Sequence, residues 1–271
     1  MKSTSPALWR ALLVFVLFWT LPTAQAGSNS EEMVGVDRYG AAPIQELALR
    51  LNDELDARKV NVAIVARAGR PRSQLPDGVS YTHVAFIVFE PVVGADGTPF
   101  HTYAVYNLYQ GPKGQERVSR LQQDLTYDFV AGVLEPDVAV CVPAEELQRR
   151  LLHAIRSPAY QALHIPDYNL AANPWVDRYD NCVTHTLKVC VAAIYQTEDR
   201  QRIYGNIRAY FHPTRIRLNL LETLGSSFVP DLRWEDAERG RLQTATYDSL
   251  RAFLESNGLV KETFIVRLAG H

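Results

Sequence analysis

Apolar and polar positions change their period along the chain, and each change marks an element. APIQELALRLNDELDARK (42–59) places Ile44, Leu47, Leu51 and Leu55 at helical spacing, which predicts an amphipathic helix. VNVAIVAR (60–67) is β-branched and alternating, which predicts a strand. YTHVAFIVFEP (81–91) and FHTYAVYNLYQ (100–110) flank VVGADGTP, whose Asp-Gly pair favours a tight turn; an antiparallel hairpin in the middle of a sheet is expected. DVAVCVP (137–143) predicts a further strand, and Pro143 followed by Glu145 and Glu146 predicts a helix over 143–157. NCVTHTLKVCVAAIYQ (181–196) predicts another helix, with Val183, Leu187, Cys190, Val191 and Ile194 as its apolar stripe. Cys190 lies on that stripe, and Cys182 lies off it at the helix start.

The connecting segments carry their own signals. Residues 27–41 read as a loose lead-in, and AGRPRSQLPDG as a basic loop. Residues 158–180 are long, irregular and rich in Asn, Pro, Tyr and Asp, the kind of loop that is usually functional inside a compact domain. From 199 to 258 the pattern is helical, in DRQRIYGNIRAYF, PTRIRLNLLETLG and TYDSLRAFLESNG; LVKETFIVRL (259–268) reads as a closing strand. The order is α+β, with the sheet built from the middle of the chain.

The first 26 residues change the picture of compartment. Lys2 and Arg10 precede the apolar run ALLVFVLFWTL, and PTAQA ends in a small-residue cleavage pattern. This is the layout of a secretory signal peptide, with a retained N-terminal anchor as the alternative, so a periplasmic or secreted protein with no stable membrane anchor after cleavage is expected. Losing Lys2 and Arg10 leaves 28 − 2 = 26 Lys+Arg against 30 Asp+Glu, a mature charge near −4. No clustered basic face suggests a nucleic-acid partner. The expected organisation is 1–26 signal peptide, 27–200 core domain, and 201–271 a helical extension with a closing strand packed on the core.

An exported chain with three cysteines, Cys141, Cys182 and Cys190, is not a disulfide scaffold, and the odd number leaves at least one thiol free or bridged to another molecule. A bridge between Cys141 and Cys190 would make Cys182 the odd one out. Cys182 has three open readings: nucleophile, structural or disulfide-bonded cysteine, and metal ligand. A helix N-terminus lowers a thiol's pKa and offers backbone N–H groups to an oxyanion, and Asp180 or Asn181 can cap the helix. Cys182-x-x-His185 has zinc-ligand types but lacks a second tight pair, and His153, His164 and His212 are scattered, so no metal and no cofactor is expected. Thiol chemistry needs a base. His185, on the same helix turn, points along the helix; His83 sits inside the strand THVAFIVF among apolar neighbours.

A histidine strand followed by Asn-Cys opening a helix resembles the circularly permuted NlpC-type, papain-like cysteine peptidases, an order shared by relatives of lecithin retinol acyltransferase. The chain also resembles a family of exported bacterial proteins described as a domain of unknown function. HVAFIVF, YNLYQ, YNLAANPW and YDNCVTHTL carry the likeness, over roughly residues 60–200. It implies a permuted papain-like core, a central antiparallel sheet packed against the cysteine helix. It also implies Cys182 as nucleophile, His83 as base and a third polar residue on the next strand, for which Asn107 is the choice with Glu90 and His101 behind it. Two classes of function follow. The first is an exported cysteine hydrolase or transferase acting on an amide or ester bond, with a cell-wall peptide as substrate ahead of a lipid acyl group. The second is a non-catalytic envelope binding protein on the same fold. Trp175 in NPW is loop packing or a cleft wall. The sequence carries no signal for oligomeric state.

Overall fold

The structure is a computed structural model and describes residues 33–93, 96–217, 231–237 and 241–270. The signal-peptide expectation for 1–26 lies outside the described residues.

A six-stranded antiparallel sheet forms the centre. Its strands are β1 (Val62–Arg67), β2 (His83–Val93), β3 (Pro99–Gln110), β4 (Ser119–Leu125), β5 (Asp137–Pro143) and β8 (Val260–Arg267), in the order β4-β3-β2-β1-β5-β8. Strands β6 (Thr214–Ile216) and β7 (Leu242–Thr244) form a separate pair. The hairpin register pairs Phe86 with Tyr106 and Val93 with Pro99, and Gly97 supplies the positive φ of 82° in the turn.

Both faces of the sheet are covered, which is why β1 is buried at every position rather than at alternate ones. Ala63, Val65, Ala85, Ile87 and Val105 face α2 (Ala41–Ala57) and α3 (Thr126–Ala131), where Leu47, Leu51, Leu55 and Phe129 complete one core. Ile64, Val84, Phe86 and Val88 face the other way. There they meet α4 (Glu145–Arg156), α6 (Cys182–Tyr195), α7 (Arg200–Tyr210) and α8 (Tyr247–Ser256). Each fully buried Leu or Ile contributes about 1.5–3 kcal/mol, so the two cores together hold the sheet from both sides.

Several expectations need correcting. The lead-in contains a short helix, α1 (Val34–Tyr39), whose Tyr39 hydroxyl donates to Leu134 O at 2.6 Å. Pro143 ends β5 at a bulge instead of opening α4, which Ala144 caps. Residues 158–180 include α5 (Pro158–Ala162), started by Ser157, whose side chain accepts from Ala159 N at 3.2 Å. The helix expected over 213–225 is β6 where it is described, because Thr214–Ile216 finds a partner in Leu242–Thr244; the rest of that span lies outside the described residues. The α6 stripe is too narrow a reading, since the helix is buried on all sides from Cys182 to Ala193. The closing strand pairs with β5 from Pro143–Val260 to Asp137–Arg267 and is part of the central sheet.

Candidate active site

Residues at one end of the sheet set the site. β2 pairs with β1 back to His83, and β3 pairs with β4 out to Gln110. Between β2 and β3, however, the ladder stops at Phe86–Tyr106. The two strands fork there, and the start of α6 closes the opening.

Asn181 makes that start. It is extended, and its Oδ1 accepts from Val183 N at 3.0 Å and Thr184 N at 2.9 Å. Its Nδ2 donates to Leu170 O at 3.0 Å and Thr244 Oγ1 at 3.1 Å, tying the helix to the preceding loop and to β7. The cap therefore occupies two of the N–H groups that an oxyanion could use, and the N–H of Cys182 is left for that task. Cys182 Sγ lies 4.0 Å from Thr82 O, and the Val84 N–H favours its thiolate from the same strand. The sulfur is thus set against the β2 backbone on the side where β3 has parted from it.

His83 lies at the same fork. Its Nε2 is 2.9 Å from Asn107 Oδ1, and its ring stacks on Tyr109 at 4.8 Å with an interplanar angle of 9°. Phe129 of the α2–α3 core packs against it at 5.8 Å. The imidazole belongs to that core, whereas Cys182 belongs to the α6 core. His83 Nδ1 makes no hydrogen bond, so thiol and ring are not joined at rest. Asn107 Nδ2 donates to Asp124 Oδ2 at 3.0 Å and Val105 O at 3.2 Å.

Burial governs the protonation of both groups. It pushes Cys182 up to about 11 against the backbone N–H groups of Val84 and Val183 and the Arg67 guanidinium, which pull down. The expected low-pKa thiol is corrected here: a helix start enclosed on all sides loses more by desolvation than its dipole returns. Burial, with Arg67 second, takes His83 down to about 3. The resting pair is a neutral thiol and a neutral imidazole.

Residues 54–254 match the family described as an uncharacterized protein conserved in bacteria (DUF2145). The chain belongs to this family. No curated protein and no solved structure matches it. The DUF2145 span contains every residue of the fork and ends before β8.

The remaining candidates are elsewhere or differently engaged. Glu90 accepts from Tyr106 Oη at 2.6 Å and Gln123 Nε2 at 2.7 Å, and His101 pairs with Pro91 near the hairpin tip; neither touches His83. His185 is buried, not on the helix surface, with neither ring nitrogen hydrogen-bonded. Its Nδ1 stands 3.8 Å from Asp180 Oδ2, an oxygen already taken by Lys188 Nζ at 2.7 Å. Cys141 and Cys190 are free and buried. Trp175 packs on the α6 core, its Nε1 donating to Phe211 O at 3.4 Å. Among the described residues no group of three His, Cys, Asp or Glu could hold a metal ion.

Sequence reasoning missed Asp124 and Asp231. Asp124 lies on β4, a strand without apolar alternation. Asp231 is buried with neither oxygen within hydrogen-bond geometry of a partner among the described residues, and burial raises it to about 6 against the opposing pull of Gln110. It lies near Tyr168, whose hydroxyl also senses the Cys182 thiol. No local pattern around Asp231 marks it as buried.

Proposed function

We propose that this protein is a thiol-dependent hydrolase or acyltransferase on a permuted papain-like core, with Cys182 as nucleophile, His83 as base and Asn107 orienting the imidazole. The observation that carries this reading is the Asn107 Oδ1–His83 Nε2 contact at 2.9 Å, with Nδ1 left unengaged at the fork where Cys182 begins α6. An acceptor on Nε2 places the ring proton there and leaves the Nδ1 lone pair for the thiol.

The chemistry follows from those positions. Sγ attacks a substrate carbonyl carbon as its proton passes to His83 Nδ1, a transfer that requires the ring, which at rest packs on Phe129 of the other core, to turn toward the sulfur across the end of the β2–β3 ladder. The carbonyl oxygen gains the negative charge, and the Cys182 N–H donates to it. Collapse expels the amine or alcohol, which takes the proton from the imidazolium, and water or a second acceptor then cleaves the acyl-enzyme by the reverse sequence. Because both groups are neutral at rest, proton transfer accompanies attack rather than preceding it. We place the protein in the cell envelope, with peptide amides ahead of lipid esters as substrate. The test is mass spectrometry of peptidoglycan stem peptides incubated with the wild type and with Cys182→Ala. Cleavage lost in Cys182→Ala supports the reading, and equal cleavage by both proteins overturns it.

One set of observations favours the non-catalytic alternative. Cys182 is only 7 % exposed, its pKa is raised, and it makes no hydrogen bond to the ring. A binding protein that keeps the thiol as packing would have these properties too. Iodoacetamide separates the two: Cys182 of a catalyst is alkylated much faster than Cys141 and Cys190, and that advantage is lost in His83→Ala.

A further inference from the structure

We propose that Asp124 is a positioning residue for the His83 base: it fixes the orientation of the Asn107 amide and, through it, the tautomer of the imidazole. The proposal rests on the reading of Cys182 and His83 as a catalytic pair.

A neutral imidazole carries one N–H, and its partners decide which nitrogen holds it. Asn107 could present either end of its amide to His83. Presenting Nδ2 would require Nε2 to accept, and the ring proton would move to Nδ1, where it would block the base. The surroundings exclude this orientation. Asn107 Nδ2 points at two acceptors, Asp124 Oδ2 at 3.0 Å and Val105 O at 3.2 Å. A flipped amide would turn Oδ1 onto a carboxylate oxygen and a backbone carbonyl, which is repulsive on both sides. Oδ1 is therefore held toward His83, at 2.9 Å from Nε2.

The same carboxylate holds the plane of the ring. Tyr109 Oη donates to Asp124 Oδ2 at 2.8 Å, and the Tyr109 ring is the one stacked on His83. Gln122 Nε2, two residues back on β4, donates to Asp124 Oδ1 at 2.6 Å and holds the anchor in place. One β4 side chain thus restrains two β3 residues, and these restrain the β2 imidazole across the fork, where no backbone ladder ties β2 to β3. A carboxylate suits this position because, when ionised, it accepts only.

The test reads the tautomer directly, by nitrogen NMR of the full chain labelled at histidine, with His83 assigned by its loss in His83→Ala. In the wild type, Nε2 should carry the proton. Asp124→Leu removes both acceptor oxygens, and the His83 signals should shift to a mixture of tautomers. Asp124→Asn keeps a side-chain carbonyl to accept from Asn107 and should restore the Nε2–H form. If Asp124→Leu does not fold, Asp124→Ala, which has no side-chain acceptor and adds no bulk, gives the same readout. Cys182 alkylation in Asp124→Leu should slow about five- to tenfold, the worth of one hydrogen bond. A wild-type ring protonated on Nδ1 would overturn the proposal, as would a ring in the acceptor-free variant still wholly protonated on Nε2. Alkylation of His83→Ala, run alongside, judges the catalytic pair by itself. An unchanged rate there sinks the pair, while a tautomer that responds to Asp124 still supports the lock.

Discussion

His185 is enclosed on α6 with its ring edge-on to Tyr160 at 4.9 Å and no hydrogen bond at either nitrogen. Burial lowers it well below its usual range, and burial likewise lowers His164 to about 4 and His83 to about 3. The sign follows from proton counting. Below about pH 6.5, the unperturbed value, the unfolded chain protonates these rings and the native chain does not, so stability falls by about 1.4 kcal/mol per pH unit for each of the enclosed His83 and His185, and by less for the partly solvated His164. The loss stops as each folded value is reached. Asp231, raised to about 6, acts in the opposite direction, since the native state takes its proton first. His185→Leu should therefore move the acid-unfolding midpoint to lower pH. At pH 7 it should add about 1 kcal/mol or more by removing unsatisfied buried polar atoms. Circular dichroism across pH checks both, and an unchanged midpoint would contradict the account. At this scale the candidate residues were legible: Cys182, His83 and Asn107 stand out by motif, and the structure brings two of them, His83 and Asn107, into contact. Their burial was not, because it depends on α6 and α3 arriving from distant parts of the chain.

At the scale of elements, regular patterns were readable and polar ones were not. Helix α2 and strands β1, β2, β3 and β5 declare themselves by period. β4 reads SRLQQDL, and its pattern is polar because it lies at the edge of the sheet; it gains its place by pairing with β3 from Ala104–Leu125 to Gln110–Ser119. The loop before α6 is likewise fixed from far away. Asn169 Nδ2 donates to Arg233 O at 2.9 Å and Asp236 Oδ1 at 2.7 Å, while its Oδ1 accepts from Arg233 N at 2.9 Å. Asn173 Nδ2 donates to Asp236 O at 3.1 Å, and Asp236 Oδ2 accepts from Asn173 N at 3.0 Å. Residues 231–237 thus strap the loop that delivers Cys182. Asn169→Ala breaks three of these bonds inside a buried site. It should cost about 2–4 kcal/mol in urea unfolding, taking about 1 kcal/mol per bond, and should open 231–237 to limited proteolysis. Protease resistance equal to the wild type would show that the strap does not depend on Asn169.

For the molecule as a whole, the tail of the chain is structural. Removing residues 259–271 would strip β8 from β5, expose Val138, Val140 and Val142 along a bare edge, and leave α2 without Val266 and Leu268. Such a truncation should fail to fold cooperatively, measured as loss of a sigmoidal thermal transition; a normal transition would show β8 to be dispensable. The fork between β2 and β3 has a separate consequence for solvent exchange. Val84 lies past the end of the β2–β3 ladder, and its N–H acts on the sulfur of Cys182. Its hydrogen–deuterium exchange is therefore coupled to the chemistry of one thiol. Any adduct on Cys182, from a trapped acyl group to an alkylating reagent, will change the exchange rate of this amide while those of Val88 and Ala104 further along the ladder keep theirs. The backbone at residue 84 thus becomes a label-free gauge of whether Cys182 is modified.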